Sequence, residues 1–121
     1  MDNNSNILHS NICGNKIVKV IFIHDYIQLV FDNNSVLNLN NKVTIDLSDN
    51  QPDCRTSLML DDVNLIENNI VKNIIIKSNE YFKIILTNDI CIEMSMRHED
   101  YNGPEAFEFY DKELMIIDDG E

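Results

Sequence analysis

Alanine occurs once in this 121-residue chain, at Ala106, and tryptophan does not occur at all. Strong helix formers are therefore scarce. Ile and Asn are abundant, a balance that favours strands and turns. Glycine is limited to Gly14, Gly103 and Gly120, which excludes a glycine-rich loop able to cradle phosphate. Lys and Arg number 9 against 21 Asp and Glu, for a formal net charge of −12. That deficit argues against nucleic acid, whose phosphates need Lys and Arg, and against an anionic membrane surface. It permits a basic protein partner, whose approach would be steered electrostatically. No apolar run nears the length of a membrane span, and Met1-Asp2-Asn3-Asn4 lacks the basic start of a signal peptide. The three cysteines, Cys13, Cys54 and Cys91, are odd in number and widely spaced. Reduced thiols in a cytoplasmic protein are expected rather than a disulfide framework.

What is present is repetition. Ile17-Val18-Lys19 leads through Tyr26 to Leu39, and Ile70-Val71-Lys72 leads through Tyr81 to Met94. From the tyrosines onward the two stretches align without a gap. Ile27, Leu29 and Phe31 match Phe82, Ile84 and Leu86, and the turn Asp32-Asn33-Asn34 matches Thr87-Asn88-Asp89. Aligning the two Ile-Val-Lys triplets places two extra residues at the first turn of the second copy. Each copy reads as strand, tight turn, strand, polar turn, strand, with quasi-repeats at about 16–40 and 69–95.

Around the repeats, residues 1–11 read as a polar lead-in ending in a short strand. Lys42 to Leu47 alternates as a strand, and Ser48 to Thr56 reads as an exposed loop. Leu58 to Ile66 has broken strand spacing, and extended structure is favoured there over a helical turn beginning at Asp61-Asp62. After Pro104 a hairpin spans about 104–118, turning at Asp111-Lys112-Glu113. Nine or ten short strands cannot stack as one open sheet. The expected fold is a single all-β domain, 1–121, an antiparallel β-sandwich or half-barrel. It would comprise two three-stranded meanders and a C-terminal hairpin, with pseudo-two-fold symmetry.

No catalytic signature stands out. His9, His24 and His98 lack the spacing of a metal site. The cysteines have no local base, and an acidic chain raises a thiol pKa. Catalytic, cofactor and metal sites are therefore expected to be none. The distribution of acids is more informative. From Ile84 to Glu121 eleven acidic residues face two basic ones, Arg97 and Lys112. Glu99, Asp100, Glu105, Glu108 and Asp111 are interleaved with Tyr101 and Tyr110. In a strand after Pro104, Phe107 and Phe109 would point into the core while Glu108 and Tyr110 point outward. Those five acids and two tyrosines form the expected partner-binding patch, because Tyr offers contact area with a polar tip.

The segment Tyr101-Asn102-Gly103-Pro104-Glu105-Ala106 leads into a final hairpin after a meander with an Asp32-Asn33-Asn34-Ser35 turn. This layout resembles the small acidic β-rich immunity proteins of bacterial polymorphic toxin systems, including contact-dependent growth inhibition. The resemblance covers Lys16 to Leu39 and Tyr81 to Ile117. It implies a non-enzymatic cytoplasmic protein that binds a cognate toxin domain, a basic nuclease being the expected partner, and covers its active site with carboxylates in place of phosphates. It carries over no contact residues. Two other classes fit the residues. One is a small-ligand-binding or enzymatic β-barrel. The other is a structural module that pairs through sheet edges.

Overall fold

The structure, a computed structural model, describes residues 3–24, 26–46, 56–101, 103, 105–111 and 115–117. Helix α1 (Asn3–Ile12) precedes strands β1 (Ile17–Ile23), β2 (Tyr26–Phe31), β3 (Val36–Leu39), β4 (Val43–Asp46) and β5 (Thr56–Ser57). A 3-10 turn (Leu60–Asp62) then runs into α2 (Val63–Ile66). It is followed by β6 (Val71–Lys77), β7 (Tyr81–Leu86), β8 (Cys91–Ser95), a 3-10 turn (His98–Asp100), β9 (Phe107–Tyr110) and β10 (Met115–Ile117). The strands form two antiparallel sheets, ordered β1-β2-β3-β9-β10 and β5-β4-β8-β7-β6. Neither sheet closes on itself, and the two sheets make the expected antiparallel all-β sandwich.

Both expected meanders are present, but the alignment of their first strands needs correction. Ile17 pairs with Phe31, and Val20 with Leu29. In the second copy Val71 pairs with Leu86, and Ile74 with Ile84. Ile17 therefore corresponds to Val71, one residue beyond Ile70, and the Ile-Val-Lys triplets are out of register by one. Burial explains why. Ile17 and Val71 are both buried, whereas Ile70 is 40% exposed. A one-residue slip would turn every side chain of the strand to the wrong face. Each first strand also carries a bulge at the same place, between Ile17 and Lys19 and between Val71 and Asn73. The second copy thus has one extra residue at its first turn, not two. That residue sits in the three-residue loop Ser78-Asn79-Glu80, where Asn79 takes φ 66° and the Glu80 N–H bonds Lys77 O at 3.0 Å.

Two other expectations fail. Residues 3–12 form a helix rather than a lead-in ending in a strand. Leu8 and Ile12, one turn apart, bury fully, and their packing outweighs the poor helix propensity of the Asn residues around them. The Asn11 side chain donates to Ile7 O at 2.8 Å and Asn15 to Asn11 O at 2.7 Å, which satisfies carbonyls of the last turns. Gly14, at φ 85°, ends the helix. The stretch Leu58 to Ile66 is also mostly helical, not extended, because Ile66 must reach the core while Asp62 caps the Met59 N–H at 2.9 Å. Residue 25, the end of the fourth strand at Leu47, most of the 48–56 loop with Cys54, Pro104, Lys112 and Glu113 of the final turn, and residues 118–121 lie outside the described residues.

The final strands exchange places. β4 follows β3 in the chain but pairs with β8, Val43 facing Met94. β9 follows β8 but pairs with β3, Phe107 facing Leu39. Each sheet therefore takes three strands from one half and two from the other. The core between the sheets is continuous, and Phe82 of one sheet meets Phe107 of the other edge-to-face at 5.0 Å. Phe109, fully buried at the middle of the exchanged strand, is a sensitive reporter of this packing. Phe109→Ala is expected to cost about 3–5 kcal/mol, read as a lowered urea midpoint. A loss below about 1 kcal/mol would contradict a core that depends on the exchanged strand.

Candidate functional site

Alternation along β9 sorts the expected patch. Phe107 and Phe109 are buried, while Glu108 and Tyr110 are half-buried on the outer face of the first sheet. Register then sets their neighbours. Glu108 lies opposite Asn38 of β3, which lies opposite Gln28 of β2. Tyr110 lies opposite Val36, which lies opposite Val30.

Hydrogen bonds tie these positions into one surface. Gln28 donates to Asn38 Oδ1 at 3.0 Å, and Asn38 is only 7% exposed. Asn40 Nδ2 bonds the Glu105 carbonyl at 3.2 Å and Glu108 Oε1 at 3.4 Å. The Tyr110 hydroxyl donates to Glu108 Oε2 at 2.9 Å. That bond holds the phenol proton and pushes the Tyr110 pKa up, with further contributions from burial, the charges of Glu108 and Glu105, and Tyr26. Tyr110 is thus a neutral donor fixed against a carboxylate. Asp111 follows directly at the end of β9.

Glu99, Asp100 and Tyr101 belong to a different place, the 3-10 turn in the crossover from β8 to β9. Asp100 Oδ2 accepts the Ser95 hydroxyl at 2.5 Å, which fixes the turn to the end of β8. Tyr101 packs against the core and stacks on His98 at 6.0 Å between centroids. Asp100 and Tyr101 therefore have structural work, and Glu99 stands exposed beside them. The structure gathers Glu105, Glu108 and Tyr110 around Asn40, and adds Tyr26, Gln28 and Asn38, which the sequence reading missed. Their signal was the alternation of β2 and β3, but it pointed to this face only once β3 was known to pair with β9.

The second sheet supplies an internal comparison, because its outer positions match those of the first. There Lys83 and Glu93 stand at 3.8 Å, Lys77 and Glu80 at 3.2 Å, and Lys72 and Asp89 at 3.7 Å. Lys83 also lies 5.2 Å from the Tyr81 ring centroid. By contrast, the five strands of the first sheet contain one cation, Lys19 on the outermost strand β1. Lys83 and Glu93 occupy the places that Gln28 and Asn38 hold in the first sheet.

No family model, no curated protein and no solved structure matches the chain. The protein class is therefore defined by its fold, a two-sheet antiparallel sandwich with exchanged terminal strands. Among the described residues no three His, Cys, Asp or Glu side chains gather as a metal site, and no described helix is long and apolar enough to cross a membrane.

The raised Tyr110 pKa has a checkable cause. Its contribution to stability is present below the ordinary phenol range and is lost as pH rises through the folded-state value. In an ultraviolet titration of the four tyrosines, Glu108→Gln should move one of them to lower pH, and Tyr110→Phe should delete that same transition. An unchanged titration in Glu108→Gln would remove Glu108 as the cause.

Proposed function

We propose that the chain is a binding protein without catalytic activity that docks the outer face of its first sheet onto a basic protein domain. The observation that carries this reading is the divergence of two faces built on equivalent strands. One face carries lysines within reach of acids. The other carries Glu108, with Glu105 and Tyr26 close enough to act on the Tyr110 hydroxyl, and Lys19 as its only strand cation. Carboxylates at the Tyr26 and Tyr110 end of this face attract a cationic partner and speed encounter, and half-buried tyrosines supply contact area at low entropic cost. The resemblance to immunity proteins makes a toxin nuclease the favoured partner, its phosphate-binding groove met by carboxylates. Glu105, Glu108, Tyr110 and Asp111 are the proposed contact residues, with Tyr26 added. Glu99 remains a rim residue, and Asp100 and Tyr101 shape the turn that carries it.

The alternatives gain less support. A ligand held between the sheets would have to displace Phe31, Phe82 and Phe109, all fully buried. Pairing through the edge of β1 would compete with Glu67, whose carboxylate already accepts the Val20 N–H at 2.9 Å.

The test is binding kinetics against a basic toxin domain encoded beside this chain, at two salt concentrations. Glu108→Lys should slow association, with an effect that shrinks as salt is raised. Tyr110→Ala should speed dissociation by the equivalent of about 1–3 kcal/mol. Unchanged kinetics in a triple reversal of Glu105, Glu108 and Asp111 to Lys would take this face out of the interface.

A further inference from the structure

We infer that the chain is a covalently joined dimer of one unit, so that the surface each half presents to the other is a self-recognition surface fitted to a second copy of the unit. The first unit runs from α1 to β5. The second runs from the 3-10 turn at Leu60 to β10.

The mark of a two-fold dimer is reciprocity: if a residue of one half contacts a residue of the other, their equivalents make the same contact in reverse. The chain shows this repeatedly. The Gly14 N–H bonds Val71 O at 2.8 Å, and the Asn68 N–H bonds Ile17 O at 2.7 Å. The Ile17 N–H bonds Asn69 O, and the Val71 N–H bonds Asn15 O, both at 2.9 Å. A residue on the axis must meet its own equivalent, and Lys16 forms an antiparallel bridge with Ile70. At the exchanged strands the Asn40 N–H bonds Ala106 O at 2.9 Å while the Ser95 N–H bonds Lys42 O at 3.0 Å. These bonds cross from one half to the other, where two independently folded repeats would keep their bonds internal.

The symmetry reaches details that general β-sheet rules do not require. Gly14 and Asn68, equivalent residues, both take positive φ, at 85° and 69°. Asn15 and Asn69 donate side-chain N–H groups to the equivalent carbonyls of Asn11 and Leu65, at 2.7 and 2.8 Å. Asn33 and Asn88 reach those same two carbonyls from the second turns, at 3.0 and 3.2 Å. The edge of β1 gives its Val20 N–H to Glu67, and the Ile74 N–H of β6 meets the sulfur of Cys13, the equivalent of Glu67. The ten-residue α1 and the four-residue α2 are thus versions of one helix, each ending on an isoleucine, Ile12 or Ile66, that is fully buried.

A joined dimer of equivalent units constrains where the termini lie. Ser57 ends β5 opposite Thr44, and Ile117 ends β10 opposite Glu108, the equivalent of Thr44. Two residues, Leu58 and Met59, carry the chain from Ser57 to the helical turn at Leu60. Ile117 must therefore lie near the start of α1.

A circular permutant of the full chain tests this. Glu121 is joined directly to Met1, so that residues 118–121 and 1–2 make the connection, and the chain is opened between the exposed residues Met59 and Leu60. The permutant should be monomeric and unfold in one cooperative step at a denaturant midpoint close to that of the natural order. Hydrogen exchange on the unpermuted chain gives a second reading. The reciprocal amides Gly14 and Asn68, and Ile17 and Val71, should exchange through the same opening, because neither half can leave without opening both sheets. A permutant that stays unfolded even with added Gly-Ser residues in the join would overturn the inference. So would an exchange profile in which one half opens while the other stays protected.

Discussion

Backbone hydrogen bonds traded between residues 14–17 and 68–71 are the constraint on which the rest of the molecule depends. They fix the start of β1 against the start of β6 and hold the two helix ends in place. From that fixed point each meander runs outward into its own sheet. Neither meander can bury its apolar side alone, because three short strands leave the inner face open. The exchanged hairpins remedy this. Phe107 and Phe109 close the first sheet, and Val43 and Ile45 close the second. Stability is thereby shared between halves, and a cavity at one exchanged strand is felt across the whole core.

The same duplication explains why the outer faces can differ. Inner positions are bound by close packing, and their paired residues stay apolar: Leu29 with Ile84, Leu37 with Ile92, Ile45 with Phe109. Outer positions carry no such demand. One face settled into ion pairs: Lys83 with Glu93 across the strands, and Lys72–Asp89 and Lys77–Glu80 reaching turn residues, the last two exposed enough that water screens much of the attraction. The other gathered amides, carboxylates and tyrosines, with the Gln28–Asn38 bond and the Glu108–Tyr110 bond holding side chains in fixed poses. Side chains already ordered lose less freedom on binding.

Much of this fold was legible in the chain. The second and third strands of each meander, the alternation of β4 and the inward aim of Phe107 and Phe109 follow from period-two patterning. The exchange of β4 and β9 was not, because nothing local marks which sheet a strand enters after a crossover. The match of the Ile-Val-Lys triplets misled by one residue, since Val18 and Ile70 are apolar yet exposed. Helix α1 was hidden because its only signal is Leu8 and Ile12 at one-turn spacing within an Asn-rich stretch. Of the expected patch, Glu108 and Tyr110 could be read from alternation. Asp100 could not, since its bond to Ser95 depends on how the crossover folds back. Gln28 and Asn38 join the face only through pairing with a strand that lies far along the chain.

On the proposed function, a two-fold fold carries one docking face, not two. Amide chemical-shift mapping compares both faces within a single sample, because every outer residue of β2, β3 and β9 has an equivalent in β7, β8 and β4. On titration with a basic toxin domain, shifts are expected at Gln28, Asn38, Glu108 and Tyr110. The equivalents Lys83, Glu93, Thr44 and Asp46 should stay in place. Equal shifts on both faces, or shifts confined to the second sheet, would contradict it.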